Sequence, residues 1–187
     1  MQAIGNEDAL GGVDLAALGH GLPAEAEALI ARAGTVRSRV AEAQALLEQA
    51  CALAPDHPAT LIALYRFHFY GNRLADAREV ADRAIALATS ALDLPADWAL
   101  IAADERFSRL EVLPRFLLFC LKGHAYLSAR LGELDASRRA LAKLDELDPD
   151  DKVGHKVIKA VLARMGRDDI GYEDCPDIAA PPVEATP

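Results

Sequence analysis

Apolar residues between positions 24 and 165 recur every three or four residues, the spacing that places them on one face of an α-helix. Gly and Pro interrupt this pattern and mark the ends of the segments. The segments predict helices at 24–33, 37–53, 58–70, 75–89, 96–109, 114–131, 134–147 and 152–165. We expect Asp150 or Asp151 to cap the start of the last helix and Gly166 to cap its end. The sequence has no runs of β-branched residues bounded by turns, so the predicted fold class is all-α.

Three of these helices share one spacing of small and apolar residues. Such residues recur four, seven and ten positions after each starting position. The three sets are Ala43, Leu47, Ala50 and Leu53; Ala77, Ala81, Ala84 and Leu87; and Ser137, Leu141, Leu144 and Leu147. Pro follows two residues after the first and third sets, where it stops the helix because it lacks an N–H and clashes with the preceding turn. The first two starting positions are 34 residues apart and the last two are 60 apart, which leaves room for an inserted helix.

This pattern resembles the tetratricopeptide repeat, a unit of 34 residues in which two antiparallel helices cross at small side chains. In that family a Gly lies in the turn about five residues before the first small position. Gly132 lies five before Ser137, Gly71 lies six before Ala77, and Ser38 occupies the corresponding place in the first unit. The resemblance implies an α-solenoid of about three antiparallel helix pairs, at 22–57, 58–92 and 113–151, followed by a capping helix at 152–166. Residues 1–21 and the acidic, Pro-rich residues 167–187 are predicted to be flexible segments outside the repeats.

The resemblance also implies a binding groove, because the family holds peptides on the concave face formed by the first helix of each pair. The second unit offers Tyr65, Arg66, Phe69, Tyr70 and Arg73, from the stretch LYRFHFYGNR. The third unit offers Lys122, Tyr126 and Arg130, which share one side of a helix by their spacing. Cations beside tyrosines suit an acidic peptide or a terminal carboxylate. The alternative is that the rings fill the core, where we also assign Phe67, and that the cations form an ordinary solvated face.

Composition and charge exclude several classes of partner. The formal net charge is −9, of which residues 1–22 contribute −3 and residues 167–187 contribute −5, so the body of the chain is nearly neutral. Nucleic acid is not a predicted partner, because duplex binding needs a positive face. The longest apolar runs, at 99–103 and 116–121, are too short to cross a membrane. With no signal-peptide pattern at the N-terminus and three Cys without a CxxC spacing, the predicted location is the cytoplasm.

The sequence offers no recognisable catalytic, cofactor or metal motif. The patterns GxGxxG, GxxxxGK and GxSxG are absent, so we predict neither a cofactor nor a catalytic site. The five His are scattered and lack the spacings HxxxH and HExxH, so no metal site is predicted. Cys120 has apolar neighbours and is expected to be an inert core thiol, and the acidic neighbours of Cys175 are expected to weaken that thiol as a nucleophile.

These observations predict a non-catalytic helical-repeat protein that binds a protein or peptide segment, possible roles being adaptor, chaperone or assembly factor. A bacterial secretion chaperone of the three-repeat type is an alternative within the same class. The alternative from another class is an enzyme or enzyme subunit whose site lies in the insertion 88–113, around Asp97, Trp98 and Asp104. Neither the pathway nor the oligomeric state follows from the sequence.

Overall fold

The computed structural model describes residues 21–165, and this part of the chain contains eight α-helices and no β-strand. The helices are α1 (Ala24–Thr35), α2 (Val40–Leu53), α3 (Pro58–Tyr70), α4 (Leu74–Ala91), α5 (Glu105–Ser108), α6 (Val112–Arg130), α7 (Leu134–Leu147) and α8 (Lys156–Met165). The all-α prediction is confirmed over this range. The predictions for residues 1–20 and for Gly166 and the tail at 167–187 lie outside the described residues.

Short turns join the helices into three packed pairs, α1 with α2, α3 with α4, and α6 with α7. Successive pairs also touch, because α2 packs on α3 and α4 packs along α6. The last helix, α8, contacts both α6 and α7. In the turn between α3 and α4 the left-handed residue is Asn72, with φ of 55°, whereas Gly132 has φ of 83° in the turn between α6 and α7. Because Asn tolerates this conformation, Asn72 occupies the place five residues before Ala77 that Gly132 occupies before Ser137.

The spacing shared by α2, α4 and α7 corresponds to buried positions in all three helices. The starting residues Ala43, Ala77 and Ser137 are 1%, 0% and 0% exposed, and the residues four and seven positions later are also buried. The last position differs among the helices, because Leu147 is buried whereas Leu53 is 44% exposed. Small side chains at the buried positions let the helix axes approach closely, which concentrates the apolar contacts between neighbouring helices.

The predicted helix at 96–109 is wrong. A short 3₁₀ helix, Trp98–Leu100, and the four-residue α5 occupy this stretch. The carboxylate of Asp97 accepts the backbone N–H of Ala99 at 3.0 Å, and that of Asp104 accepts the N–H of Arg106 at 2.8 Å. Such local bonds start new turns and compete with continuation of one helix.

The insertion between α4 and α6 is anchored to the body by two buried apolar side chains and one lysine. Ile101 and Phe107 are 1% and 2% exposed. The ammonium of Lys143, on α7, donates to the carbonyl of Ile101 at 3.0 Å. The insertion therefore lies on the third helix pair and covers part of its surface.

The last helix begins four residues later than predicted, at Lys156. The carboxylate of Asp148 accepts the N–H groups of Lys152 at 3.0 Å and Val153 at 2.9 Å, which closes a turn where helix was expected. Asp151 and Gly154 have positive φ, of 58° and 71°, which a continuing right-handed helix does not allow.

Enlarging the small crossing residues should overpack the helix interfaces. We expect Ala50→Leu and Ala84→Leu each to lower the free energy of unfolding by about 1 to 3 kcal/mol, because the two positions are 0% and 2% exposed. The matched control is Ala45→Leu, on the exposed side of α2. This substitution should change the free energy of unfolding by no more than about 0.5 kcal/mol. Chemical denaturation measures all three; equal effects at Ala45 and Ala50 would show that α2 does not cross its neighbours at Ala50.

Candidate functional site

Three of the predicted groove residues meet in one aromatic cluster between α3 and α6. The rings of Tyr65 and Phe69 stack with centroids 5.7 Å apart, and the ring of Phe69 lies 5.7 Å from that of Tyr126. The structure therefore brings the aromatic residues of the second and third units together. It also buries them: Tyr65, Phe69 and Tyr126 are 0%, 6% and 5% exposed. The prediction that these three side chains line an open groove is therefore corrected, because they lie in the core.

The cluster reaches the surface at its two ends. Tyr70 is 55% exposed and packs edge-on against Phe69, with centroids 5.4 Å apart. At the other end the guanidinium of the exposed Arg130 donates to the hydroxyl of Tyr126 at 2.8 Å and lies 5.8 Å from the centre of its ring. Tyr70 and Arg130 are the parts of the predicted groove that are accessible to a partner without rearrangement.

The remaining predicted groove residues are divided among other environments. The guanidinium of Arg73 lies 4.1 Å from the centre of the ring of Phe67 and reaches Gln44 of α2 at 3.5 Å. The ammonium of Lys122 donates to the carbonyl of Val153 at 2.7 Å, so it ties α6 to the segment before α8. Arg66 is half-buried. These cations have structural contacts that the sequence pattern did not indicate.

A glycine inside α6 makes room for the aromatic cluster. A Cβ atom at Gly123 would lie 3.2 Å from the hydroxyl oxygen of Tyr65 and 3.5 Å from two carbons of its ring. The absence of a side chain lets the buried Tyr65 ring sit directly on the backbone of α6. Packing thus explains a residue that otherwise costs helix stability.

A polar network that the sequence reasoning missed lies where α4, α6 and the insertion meet. Nδ1 of His124 lies 2.6 Å from a carboxylate oxygen of Asp82, and the ring of Trp98 packs edge-on against that of His124 at 5.8 Å. Arg78 pairs with Glu133 and with Asp82. Asp82 and His124 are 42 residues apart in the chain, so no local spacing could have indicated their contact.

Two acidic residues proposed for an enzyme site serve as helix caps. Asp97 begins the 3₁₀ helix and Asp104 begins α5. Asp104 also pairs with the guanidinium of Arg106 at 2.7 Å, and this hydrogen bond holds the pKa of Asp104 below its usual value. A carboxylate held in its ionised form by a neighbouring cation is a poor proton donor near neutral pH.

The cysteine predictions divide between the core and the tail. Cys120 is 0% exposed, and its burial raises the pKa of the thiol well above the usual range. The thiolate needed for nucleophilic attack is therefore disfavoured, as expected of a core thiol. Cys175 lies outside the described residues.

One set of potential metal ligands occurs among the described residues. Asp148, Asp151 and His155 each offer a ligand atom, and these atoms all lie within 4.8 Å of one another. Spacings between paired His do not indicate this set, because it contains a single His. The signal in the sequence that could have indicated these ligands is the spacing Asp-x2-Asp-x3-His.

Comparison with known proteins gives one relative. No family model matches the chain, and no solved structure matches it. The chain is 42% identical over 123 residues to the "Uncharacterized 19.8 kDa protein in nifW 5'region" of Azotobacter chroococcum mcd 1. The aligned segment covers 64% of this chain and 68% of that protein. The chain belongs to the same family as this Azotobacter protein. The shared length shows that the family resemblance extends over most of both chains.

Over residues 21–165 no helix combines the length and the apolar character that crossing a membrane requires.

The contact between Gly123 and Tyr65 can be tested with a second helical glycine as the matched control. An alanine in a helix is normally about 0.5 to 1 kcal/mol more stable than a glycine. We expect Gly34→Ala to show this gain, since a Cβ atom there meets nothing within 4 Å. The change in the free energy of unfolding caused by Gly123→Ala should be at least about 1 kcal/mol less favourable than that caused by Gly34→Ala. In a chain that also carries Tyr65→Phe, the difference between the two substitutions should be smaller. Equal gains at the two positions would show that the ring does not press on α6.

Proposed function

We propose that the chain is a non-catalytic, tetratricopeptide-like α-solenoid that binds a segment of a partner protein as an adaptor, chaperone or assembly factor. The observation that carries the proposal is the repeated burial of small residues at matching positions of α2, α4 and α7, in three consecutive helix pairs. A stack of helix pairs presents an extended surface to partners, and repeats of this kind bury their own faces against one another.

The proposed contact surface comprises the exposed ends of the aromatic cluster, Tyr70 and Arg130. An exposed tyrosine and an arginine supported by a buried ring are the residue types that anchor protein recognition, because they offer apolar area together with directed hydrogen bonds. The buried Phe69 and Tyr126 hold these two side chains in place, so little freedom is lost when a partner binds. Arg130 favours a partner segment with a carboxylate.

A role without catalysis is part of the proposal. The acidic residues of the insertion, Asp97 and Asp104, are occupied as helix caps, and the thiol of Cys120 is buried. A secretion chaperone remains the narrower alternative within the binding class, and a cytoplasmic location remains the expectation for either role.

The name of the Azotobacter relative supplies a first partner to test. That protein is described as lying in the nifW 5' region. We therefore choose the protein encoded by nifW as the first immobilised partner. A panel of acidic peptides ending in a free carboxylate is the second probe.

The binding surface is tested by charge reversal and truncation. We expect Arg130→Glu and Tyr70→Ala each to weaken binding of a captured partner at least about tenfold, or about 1.4 kcal/mol, while the melting temperature stays nearly unchanged. Lys122→Glu is unsuitable for this test, because it also removes the bond to the carbonyl of Val153. Titration calorimetry or biolayer interferometry with purified partner measures the affinity.

Matched controls use exposed residues elsewhere on the molecule. Arg138→Glu reverses the charge of a side chain that is 60% exposed on α7, and Leu100→Ala truncates a residue that is 70% exposed in the insertion. Both should leave binding unchanged. Binding that resists the Tyr70 and Arg130 variants, or falls equally in the controls, would contradict the proposed surface.

A further inference from the structure

The segment between α7 and α8 holds a buried histidine with carboxylates on both sides of its ring. His155 is 0% exposed and immediately precedes α8. Both of its ring nitrogens face carboxylates. Nε2 lies 3.0 Å from an oxygen of Asp145, whereas Nδ1 lies 3.0 Å from an oxygen of Asp151 and 3.8 Å from an oxygen of Asp148.

The two sides of the ring differ in their bonding. The contact between Nε2 and Asp145 is a hydrogen bond, and since an ionised carboxylate only accepts, Nε2 carries the proton. Nδ1 makes no hydrogen bond of acceptable geometry despite the short distance to Asp151. This buried nitrogen therefore faces carboxylate oxygens without a hydrogen bond to them. An arrangement of three donors around one point is favourable when a cation lies between them.

The local backbone places the two carboxylates firmly beside Nδ1. Asp148 is 3% exposed, and its two oxygens accept the N–H groups of Lys152 and Val153. One oxygen of Asp151 accepts the N–H of Lys156 at 3.1 Å. A carboxylate has about four acceptor positions, so each of these oxygens keeps a lone pair for another ligand.

Lysines of the same region are bonded to other groups. Lys152 donates to the carbonyl of Ser108 at 2.6 Å, and Lys156 donates to the carbonyl of Pro149 at 3.0 Å. Lys159 pairs with Asp145 on the far side of the ring. These three ammonium groups therefore have partners other than the nitrogen Nδ1 of His155.

We propose that Asp148, Asp151 and His155 bind a divalent transition-metal ion, Zn²⁺ or one of its chemical relatives such as Co²⁺. One imidazole nitrogen with two carboxylates suits such ions, whereas Mg²⁺ and Ca²⁺ prefer oxygen ligands alone. Ligand atoms at about 2.1 Å from one ion lie about 3.0 to 3.4 Å apart, close to the separations of 3.0 and 3.8 Å found at Nδ1.

The role of Asp145 fits the same site. A metal-binding histidine usually donates its other ring N–H to a carboxylate, which fixes the tautomer and the orientation of the ring. Asp145 does this from α7, at the side of the ring opposite to Nδ1. It is a positioning residue and does not contact the ion.

Asp151 provides access from solvent. Its side chain is 23% exposed, whereas His155 and Asp148 are buried. An ion entering beside Asp151 would keep water in its remaining coordination positions. By joining the segment at 148–155 to the start of α8, the ion would fasten the last helix to the third pair.

The test uses Co²⁺ as the probe, with the full chain. We expect the parent to bind one Co²⁺ per chain saturably, with visible absorption bands and a higher melting temperature in the presence of the ion. Zn²⁺ should displace Co²⁺ and remove the absorption. Asp151→Asn and His155→Gln should each weaken Co²⁺ binding at least about tenfold, and Asp145→Asn should weaken it by about ten- to a hundredfold through the loss of ring orientation.

The matched control is Asp150→Asn, since Asp150 is adjacent in sequence but its carboxylate is 73% exposed and pairs with Lys152 at 3.7 Å. Its Co²⁺ affinity should equal that of the parent. Circular dichroism checks that each variant is folded. If His155→Gln unfolds, Asp151→Asn gives the result, because the side chain of Asp151 is 23% exposed. Absence of saturable binding overturns the proposal, as does binding that persists in Asp151→Asn or falls equally in Asp150→Asn.

Discussion

The close approach of α4 to α6 is the contact on which the rest of the structure depends. The buried face of α4 is rich in alanine, with Ala77, Ala81, Ala84 and Ala88 each no more than 2% exposed. Alanine allows helix backbones to come near one another and loses no side-chain entropy on burial. This contact joins the second and third helix pairs and brings α3 within reach of α6.

The same closeness explains why the aromatic residues are inside. With so many small side chains at the crossings, a few large ones must fill the remaining volume, and Tyr65, Phe107 and Phe116 are among the largest that are fully buried. Gly123 gives the ring of Tyr65 its place on α6. The proposed surface for partners lies at the margins of the cluster, where Tyr70 and Arg130 contact buried rings.

The capping end is held together by polar contacts. Asp148 closes the turn after α7, and the adjoining Val153 and Ile158, 4% and 5% exposed, belong to the hydrophobic core. Buried polar groups are costly unless each finds a partner. A metal ion at Nδ1 of His155 would satisfy the group in this region that lacks a hydrogen bond.

The sequence by itself determined the all-α class, most of the helices and their crossing positions, whereas the tertiary structure decided which side chains are exposed. The period of apolar residues and the small residues of α2, α4 and α7 are local patterns, so helices such as 58–70 and 134–147 were predicted to the residue. The helix at 96–109 failed because Asp97 and Asp104 bond to nearby N–H groups, a local choice that periodicity does not register. Tyr126 shares a helical stripe with the exposed Arg130, and its burial against Phe69 follows from the contact between α3 and α6. His124 and Asp82, 42 residues apart, meet because two helices pack together, and His155 meets Asp145, ten residues earlier, because the chain folds back after α7. Such hydrogen bonds between side chains depend on positions in space and not on a periodic spacing along the chain.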